Sequence, residues 1–384
     1  MLPSKKTIGI IGGGQLGKML IEAGKPWNIN YHILDAADAP ASGLANHHLV
    51  GSLMDENKIY ELAASCDILT YEIEHIHLGA LKRLEAEGKT IIPSPRILEI
   101  IQDKGLQKLF FKNNNIPTTD FELAENPGEW TNKLAALKGN KVAAKLRKGG
   151  YDGKGVELVS KNAMLEDSNA IPFNEPVVLE EFVENAIELS VIVARNKQGQ
   201  TVTFPTVEME FDPKANLVEF LFAPAQISSE IEEKARQIAL DCVVKLEGAG
   251  LFAVEMFLDS NGNIYVNEIA PRPHNSGHHT IEACYTSQYE QLNRILMDMP
   301  LGNTELLQAA AMINLLGAEG VNGLYEITGL DTILNLKGVY IHLYNKTHTK
   351  PKRKMGHITI LGDSLEDIRD KAGIVRAHLG MKQL

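Results

Sequence analysis

Apolar and polar positions alternate with two different periods along the first hundred residues. Short apolar runs predict buried strands at 7–11, 30–34, 67–71 and 90–92. The segments between them have helical spacing and predict helices at 15–23, 56–65, 77–87 and 95–102. Strands and helices that alternate over short loops are typical of a parallel sheet covered by helices. The pattern predicts a Rossmann-like first domain over residues 1–103.

The pattern changes at residue 104. A helix at 104–113 is followed by a strand at 141–146, and a long amphipathic helix is predicted at 228–247. Further strands with antiparallel alternation are predicted at 177–181, 187–194, 201–204, 207–211 and 218–223. We therefore expect an α+β domain over 104–300. A C-terminal domain over 301–384 holds more strands and a final helix at 364–379.

A predicted hairpin brings two carboxylates together. Two apolar runs flank Asn261-Gly262, and Asn-Gly favours a two-residue hairpin loop because both positions need a positive φ. With that loop, counting back along the strands places Glu255 opposite Glu268. Like charges that face each other repel, and a magnesium ion would offset the repulsion. Two solvated glutamates and a protonated carboxyl pair are the alternatives.

Two glycine-rich segments indicate anion binding. Gly12, Gly14 and Gly17 satisfy G-x-G-x-x-G after a strand, and Asp35 follows at the spacing of a dinucleotide fingerprint. The second segment follows Lys145 and has four glycines within 149–155. Its backbone N–H groups suit a phosphate, although a flexible hairpin with solvated lysines is the alternative.

Composition narrows the choice of function. The chain of 384 residues carries a net charge of −11, which argues against general nucleic-acid binding. Its three cysteines are far apart, so neither a disulfide framework nor a zinc spacing is visible. Apolar runs are too short for a membrane span, and the N-terminus lacks a signal-peptide pattern. We expect a cytoplasmic protein with no nucleic-acid or membrane partner.

Six motifs together resemble the ATP-grasp superfamily, and within it the 5-(carboxyamino)imidazole ribonucleotide synthases of purine biosynthesis. They are GGGQLGKML, YEIEHI, KLRKGGYDGKG, VLEEFV, NEIAPRPHNSGHHT and KRKMGH, and they span nearly the whole chain. The resemblance implies an ATP-grasp fold with a Rossmann-like N-terminal domain and a small β-rich C-terminal domain. It also implies a carbon–nitrogen ligase that uses ATP and Mg²⁺, or Mn²⁺ in its place, and forms a homodimer.

The resemblance also assigns the nucleotide site. Glu255 and Glu268 would hold magnesium, with Asn267 beside them. Lys104 and Lys145 would contact the ATP phosphates, and Glu188 would bind the ribose hydroxyls. The lid over the nucleotide would comprise Gly150, Tyr151, Asp152, Gly153, Lys154, Gly155 and Val156. The hinge that reads adenine through backbone groups would comprise Glu180, Glu181, Phe182 and Val183.

Residues from all three domains would bind the second substrate, aminoimidazole ribonucleotide. By resemblance they are Gln15, Leu16, Glu72, Tyr151, Asp152, Lys154, Asn275, Lys346, Arg353 and Lys354. Arg272 and His274 complete the catalytic set with Lys145. Two positions depart from the pattern: Lys104 stands where many relatives have arginine, and Glu208 lies near where some have histidine.

The implied reaction is ATP-dependent carboxylation of the 5-amino group by bicarbonate through carboxyphosphate, with ADP and phosphate released. Three alternatives remain at this stage. A formate-dependent phosphoribosylglycinamide formyltransferase would share the fold and the ATP site. An NAD-dependent oxidoreductase would explain residues 7–35 and nothing later, and a non-catalytic nucleotide-binding regulator would bind ATP without turnover.

Overall fold

The first hundred residues form a parallel sheet, in a computed structural model that describes residues 6–150, 155–166, 171–212 and 217–384. Its strands are β1 (Thr7–Ile11), β2 (Asn30–Asp35), β3 (His47–Val50), β4 (Ile68–Tyr71) and β5 (Thr90–Ile91), in the order β3-β2-β1-β4-β5. Its helices are α1 (Gln15–Gly24), α2 (Glu56–Ala64), α3 (Leu78–Ala86) and α4 (Pro95–Gln102). The Rossmann-like prediction is confirmed.

Strand β3 was absent from the predicted set. It lies at the sheet edge, and only Leu49 of its four residues is buried. The sequence His47-His48-Leu49-Val50 therefore has no apolar run for a pattern to detect.

A second, antiparallel sheet follows α5 (Lys104–Asn113). Its order is β6-β9-β7-β8, and helices α6 and α7 connect its strands. The bounds are β6 (Phe121–Ala124), α6 (Trp130–Ala136), β7 (Lys141–Leu146), β8 (Val156–Ser160), α7 (Lys161–Glu166) and β9 (Val177–Glu181). Trp130 and Leu134 pack under this sheet with the apolar face of β7 and β9.

The largest sheet runs in the order β15-β14-β10-β12-β13-β16-β19-β18, with β11 paired to β10. The bounds of its first part are β10 (Ile187–Arg195), β11 (Thr201–Thr203), β12 (Val207–Asp212), β13 (Leu217–Ala223), α8 (Ser229–Leu246), β14 (Gly250–Leu258), β15 (Ile264–Ala270), α9 (Thr280–Ala283) and α10 (Gln288–Leu296). Those of the C-terminal part are β16 (Ala309–Leu316), β17 (Tyr325–Thr328), α11 (Leu330–Leu334), β18 (Val339–Leu343), β19 (Lys354–Gly362), α12 (Leu365–His378) and β20 (Gly380–Gln383). Strands β17 and β20 form a separate ribbon.

This sheet crosses the predicted boundary at residue 300, because β13 pairs with β16. The β-rich C-terminal part is thus joined edge to edge to the middle of the chain. The domain limits themselves stay a prediction. Among the described residues, every helix is too short or too polar to cross a bilayer.

Alternation along β10 and β14 decides which side chains face the site. Leu189 and Val191 of β10 pack toward α8, as Val254 does from β14. Residues of the other parity face the side where α10 and the first domain pack. Glu188 and Glu255 share that second parity, so the two-residue period of a strand places them on one face.

The β14–β15 hairpin has the predicted opposition of Glu255 and Glu268, but not the predicted loop. Asp259 pairs with Asn263, so the loop has three residues, and Gly262 takes the positive φ of 81° that closes it. Next to the loop, each residue of β14 therefore pairs with a residue of β15 one position earlier than predicted. This shift extends from the loop to the pair Met256 and Val266. A bulge beyond this pair shifts the register again and brings Glu255 opposite Glu268.

Candidate active site

The two glutamates of the hairpin have different partners. Glu268 accepts from the Lys104 ammonium, while Glu255 lies 3.2 Å from Nε2 of His274. The nearby Lys104 charge lowers the pKa of Glu268, whereas burial first, and then repulsion by Glu268, raise the pKa of Glu255. The pair therefore favours one negative charge rather than two when only protein groups are near.

The chemistry of this pair suits magnesium. Mg²⁺ commonly takes one or two carboxylates from the protein and further oxygens from phosphate and water. Among the described residues, no cluster of three or more His, Cys, Asp or Glu side chains could hold a metal. Glu255 and Glu268 are the residues that could hold a magnesium ion together with a phosphate ligand.

The predicted phosphate lysines converge on the same hairpin. The Lys145 ammonium donates to Oδ1 of Asn267 at 2.8 Å and pairs with Glu180. Lys104 reaches the site from the start of α5, just after Asp103 caps that helix. A common pocket is lined by Lys104, Gln107, Lys108, Lys145, Val178, Asn267 and Glu268.

Lys108 also lines this pocket and was not among the predicted site residues. Its buried ammonium pairs with Glu180 and donates to Oγ1 of Thr118 at 2.8 Å. The Lys108 and Lys145 charges hold the pKa of Glu180 well below its usual range despite complete burial. The only sequence signal for Lys108 was its position one helical turn after Lys104.

Glu180 therefore has a side-chain role in addition to its place in the predicted adenine hinge. The following N–H groups are also engaged: Glu181 donates to the Asp120 carbonyl at 3.0 Å, and Phe182 donates to the Lys141 carbonyl at 3.3 Å. These bonds hold the end of β9 against its neighbours. Reading of adenine by Glu180, Glu181, Phe182 and Val183 stays a prediction.

Glu188 lies on the same sheet face as the acidic hairpin. Its neighbour of equal parity, Ser190, is the register partner of Glu255. Burial raises the pKa of Glu188 to about 7, with a further contribution from the Glu268 charge. Such a carboxyl can change its charge near neutral pH.

The lid is only partly described. Gly155 has a positive φ of 76° and its carbonyl accepts from the Leu146 N–H at 2.8 Å, which closes the loop base. Gly150 and Val156 flank the loop. The predicted contacts of Tyr151, Asp152, Gly153 and Lys154 lie outside the described residues.

The loop after β15 carries Arg272, His274 and Asn275. His274 is held from both ring nitrogens, because Nδ1 lies 2.9 Å from Oγ of Ser276 and Nε2 faces Glu255. Asn275 is buried, and neither polar atom of its amide has a hydrogen-bond partner. An unpaired buried amide is costly, so Asn275 indicates a ligand-binding position.

Arg272 connects this loop to the first domain. Its guanidinium lies 3.1 Å from Oε1 of Glu74. Burial raises the pKa of Glu74, and the Arg272 charge partly offsets this rise. Glu74 was not among the predicted site residues. Its only signal was its place in the YEIEHI segment, two residues after Glu72.

Glu72 occupies the anion position of the first glycine motif. Its two carboxylate oxygens accept from the N–H groups of Gly14 and Gly17, and Oδ2 of Asp35 accepts from Gly13 at 2.6 Å. A Cβ on Gly14 would lie 2.5 Å from a Glu72 oxygen. The glycines thus make room for a carboxylate of the chain itself, at the place where a dinucleotide would put its pyrophosphate.

This arrangement removes the main support for an NAD-dependent oxidoreductase. Glu72 fixes the turn that carries Gln15 and Leu16, and Gln15 begins α1. Direct contact of Gln15, Leu16 and Glu72 with a ribonucleotide stays a prediction.

The C-terminal basic residues converge at the start of β19. Lys346 donates from Nζ to the Lys354 carbonyl at 2.7 Å, and Arg353 donates to the His348 carbonyl. The Lys354 charge counteracts the rise in the pKa of Glu255. The fold therefore brings Lys354 of this cluster toward the acidic hairpin.

The fold and site define an ATP-grasp ligase. The ATP-grasp domain family matches residues 109–289, the ribonucleotide synthetase preATP-grasp domain matches 5–102, and the phosphoribosylaminoimidazole carboxylase C-terminal domain matches 310–371. The chain is 36% identical to N5-carboxyaminoimidazole ribonucleotide synthase of Aquifex aeolicus, over 95% of this chain and 94% of that protein. The chain belongs to the N5-carboxyaminoimidazole ribonucleotide synthase family.

Solved structures agree. The synthetase of Thermotoga maritima superimposes with a TM-score of 0.89 at 43% identity, over 99% of this chain and 100% of that chain. The synthase of Aspergillus clavatus, in complex with ADP and 5-aminoimidazole ribonucleotide, gives a TM-score of 0.86 at 30% identity and covers 98% of each chain. Phosphoribosylaminoimidazole carboxylase of Ogataea methanolica is 39% identical over 94% of this chain, which spans only 67% of that protein.

Proposed function

We propose that this chain carboxylates the 5-amino group of 5-aminoimidazole ribonucleotide, using bicarbonate and ATP and releasing ADP and phosphate. The observation that carries the proposal is the convergence of three groups of residues on one sheet face. They are the opposed Glu255 and Glu268, the lysines at 104 and 145, and the Arg272–Asn275 loop.

The chain's own residues support the phosphoryl transfer. A bicarbonate oxygen attacks the γ-phosphorus of ATP, and the bond to the ADP oxygen breaks. Lys104 and Lys145 lie where their charges would stabilise the extra negative charge on the transferring group. Magnesium on Glu255 and Glu268, when bound, would supply charge neutralisation at the phosphate oxygens.

Carboxyphosphate then releases carbon dioxide and phosphate beside the second substrate. The 5-amino nitrogen attacks the carbon of carbon dioxide, a C–N bond forms, and the nitrogen loses a proton. Arg272 would hold bicarbonate and the carboxyphosphate, because a guanidinium pairs well with planar carboxylates. His274, held between Glu255 and Ser276, orients the Glu255 carboxylate.

The second substrate would lie between the first domain and the C-terminal cluster. Asn275 offers both amide atoms, and Lys346, Arg353 and Lys354 would receive the phosphate. The buried free cysteines suit a reducing compartment, and cytoplasmic location belongs to the proposal. A homodimer stays a prediction from family resemblance.

ADP release tests the function. We expect turnover that requires aminoimidazole ribonucleotide and bicarbonate together. Phosphoribosylglycinamide with formate should give none, and turnover with that pair instead would favour the formyltransferase. ATP binding with no turnover on either pair would favour a non-catalytic regulator.

Glu268→Gln tests the site within the same assay. It should abolish ADP release while the protein stays folded, because it removes one of the two carboxylates proposed for magnesium. Glu210→Gln, on an exposed position of β12, is the matched control and should retain activity. Near wild-type turnover of Glu268→Gln would reject the metal assignment.

A further inference from the structure

Three histidines form a stacked column beside the proposed ribonucleotide site. The column comprises His278, His357 and His342. Ring centroids lie 4.5 Å apart between His278 and His357, and 4.4 Å apart between His357 and His342. The second pair is nearly parallel, with an interplanar angle of 10°. His278 and His357 are buried, and the proposed chemistry gives neither side chain a role.

Each ring of the column is held in place by a hydrogen bond. The hydroxyl of Tyr289 lies 3.0 Å from Nδ1 of His278, and the hydroxyl of Tyr344 lies 2.9 Å from Nδ1 of His357. At the far end, Nε2 of His342 lies 2.6 Å from a Glu282 oxygen. The column is therefore fixed in orientation as well as in position.

Burial disfavours the charged form of the two buried rings, His278 and His357. Burial lowers the pKa of both His278 and His357 well below the ordinary histidine value. The charges of His274 and Lys354 face His278, and that of Lys18 faces His357, and each lowers the pKa further. Neutral rings can stack closely without repulsion.

The geometry argues for a mechanical role. His357 and His342 are nearly parallel, and His278 is tilted by 34° relative to His357. The hydrogen bonds described above run from the rings to tyrosine and glutamate side chains, so they do not link the rings into a proton-carrying chain. Within the described residues, the three histidines do not form a cluster of three or more ligands with the arrangement of a metal site.

The column joins two segments that are remote in sequence. His278 follows Asn275 by three residues, at the C-cap of the short helical segment after β15. His357 follows Lys354 by three residues along β19. His342 is the register partner of His357 on β18. Contact between the rings therefore joins the segment that carries Asn275 to the strand that carries Lys354.

We propose that His278, His357 and His342 are positioning residues that hold Lys354 at a set distance from Asn275, and so shape the pocket for the phosphorylated ribonucleotide. This inference rests on the proposed function. None of the three rings needs to touch the substrate. Their effect should appear in ribonucleotide affinity and not in ATP affinity, because the nucleotide lysines at 104 and 145 lie on other elements.

The test uses His357→Ala, which removes the middle ring. We expect the KM for aminoimidazole ribonucleotide to rise at least about tenfold, since small displacements of binding groups have large effects. The KM for ATP should change less than about twofold. His357→Phe restores a flat ring and should recover most of the ribonucleotide affinity.

Ile358→Ala is the matched control. Ile358 is the next residue of β19, faces the opposite core and is fully buried, so its loss loosens the same strand without touching the column. It should lower stability and leave the KM for ribonucleotide near wild type. If it raises that KM as much as His357→Ala does, general loosening of the sheet explains the effect and the inference is wrong.

If His357→Ala does not fold, a less disruptive substitution, Tyr344→Phe, provides the test. Tyr344→Phe keeps the ring volume and removes only the hydroxyl bonded to His357, so the KM for ribonucleotide should rise about two- to tenfold. An unchanged KM in the folded variants, with active wild type, rejects the column's role alone. Absence of ribonucleotide-dependent turnover in the wild type rejects the proposed function, and the inference with it.

Discussion

The Glu72 carboxylate caps helix α1 by accepting hydrogen bonds from the backbone of Gly14 and Gly17. The donors come from the glycine turn, and the acceptor directly follows β4, 58 residues after Gly14 and 55 after Gly17. A side chain thus takes the position at a helix N-terminus where an anionic ligand is commonly bound. This relationship explains why a dinucleotide fingerprint occurs in a chain that belongs to an ATP-grasp family.

Replacement of Glu72 should destabilise the first domain. Glu72→Ala leaves the buried Gly17 N–H and the partly buried Gly14 N–H without their acceptor, so the free energy of unfolding should fall by about 1–3 kcal/mol. Urea denaturation measures the change. Glu87→Ala, at an exposed helix end, is the control and should change stability little.

Gly14→Ala provides a double-mutant cycle with Glu72. Gly14 has a φ of −71°, so only the clash of a new Cβ with Glu72 opposes alanine, and the substitution should cost about 1–3 kcal/mol. In a Glu72→Ala background that cost should nearly vanish. Gly12→Ala should stay costly in both backgrounds, because Gly12 has a φ of +104°. Equal costs for Gly14→Ala in both backgrounds would disprove the coupling.

Glu180→Gln should strongly destabilise the protein. It leaves the buried ammonium groups of Lys108 and Lys145 without a carboxylate, at a cost of about 3–5 kcal/mol. Glu184→Gln breaks an exposed pair with Lys141 and should cost at most about 1 kcal/mol. Similar effects of the two substitutions in chemical denaturation would contradict the buried network.

The same carboxyl gives a pH dependence with a definite sign. The folded pKa of Glu180 lies below its unfolded value of about 4.3, so its stabilising contribution is fully present above that pH. The contribution is lost as pH falls through the folded pKa. The wild type should therefore lose more stability on acidification than Glu180→Gln, as measured by thermal unfolding across acidic buffers.

Glu188 should make ATP affinity depend on pH near neutrality. Its pKa of about 7 means that the carboxylate, the form able to accept from two ribose hydroxyls, increases as pH rises through that value. Affinity measured by calorimetry about one unit below and above the pKa should be tighter at the higher pH. Glu188→Gln should flatten this dependence, and an undiminished slope would reject its role as ribose ligand.

Ionisation of Glu188 has the opposite effect on stability. Its folded pKa is raised above the unfolded value, so its neutral form favours the fold. The wild type should lose stability relative to Glu188→Gln as pH rises from about 4.3 toward 7. This sign separates Glu188 from Glu180 within one set of unfolding measurements.

Arg353→Ala should weaken binding of the ribonucleotide far more than binding of ATP. Loss of a charged phosphate partner should raise the KM for ribonucleotide about tenfold or more, with little change in the KM for ATP. Lys350→Ala, an exposed neighbouring cation, is the control and should affect neither. If Arg353→Ala weakens binding of both substrates equally, Arg353 does not bind the ribonucleotide phosphate.

The periodicity of apolar residues was sufficient to predict helices and strands whose formation depends mainly on residues close in sequence. The strand and helix patterns predicted β1, α1 and α4 closely, and Ser228 and Glu247 bound α8 as expected from its amphipathic run. Strand β3 was not predicted because this short edge strand buries only one of its four residues, so its sequence has little apolar pattern.

The acidic hairpin shows a correct prediction with an incomplete cause. The Asn-Gly signal located the hairpin, and counting placed Glu255 opposite Glu268. That count succeeded because a longer loop and a bulge shift the register by one residue each and cancel. A bulge depends on how the strand packs and twists against its neighbours, so the sequence did not indicate it.

The sequence by itself determined the order of elements, the superfamily and most of the chemical groups in the site. The tertiary structure alone decided the pairing of those groups. Glu72 under the glycine turn, Glu74 on Arg272 and Glu180 between two lysines each join segments far apart in the chain. Local sequence patterns do not predict such contacts. Burial and charge pairing in the core depend on residues that are far apart in sequence and become neighbours only in the folded structure.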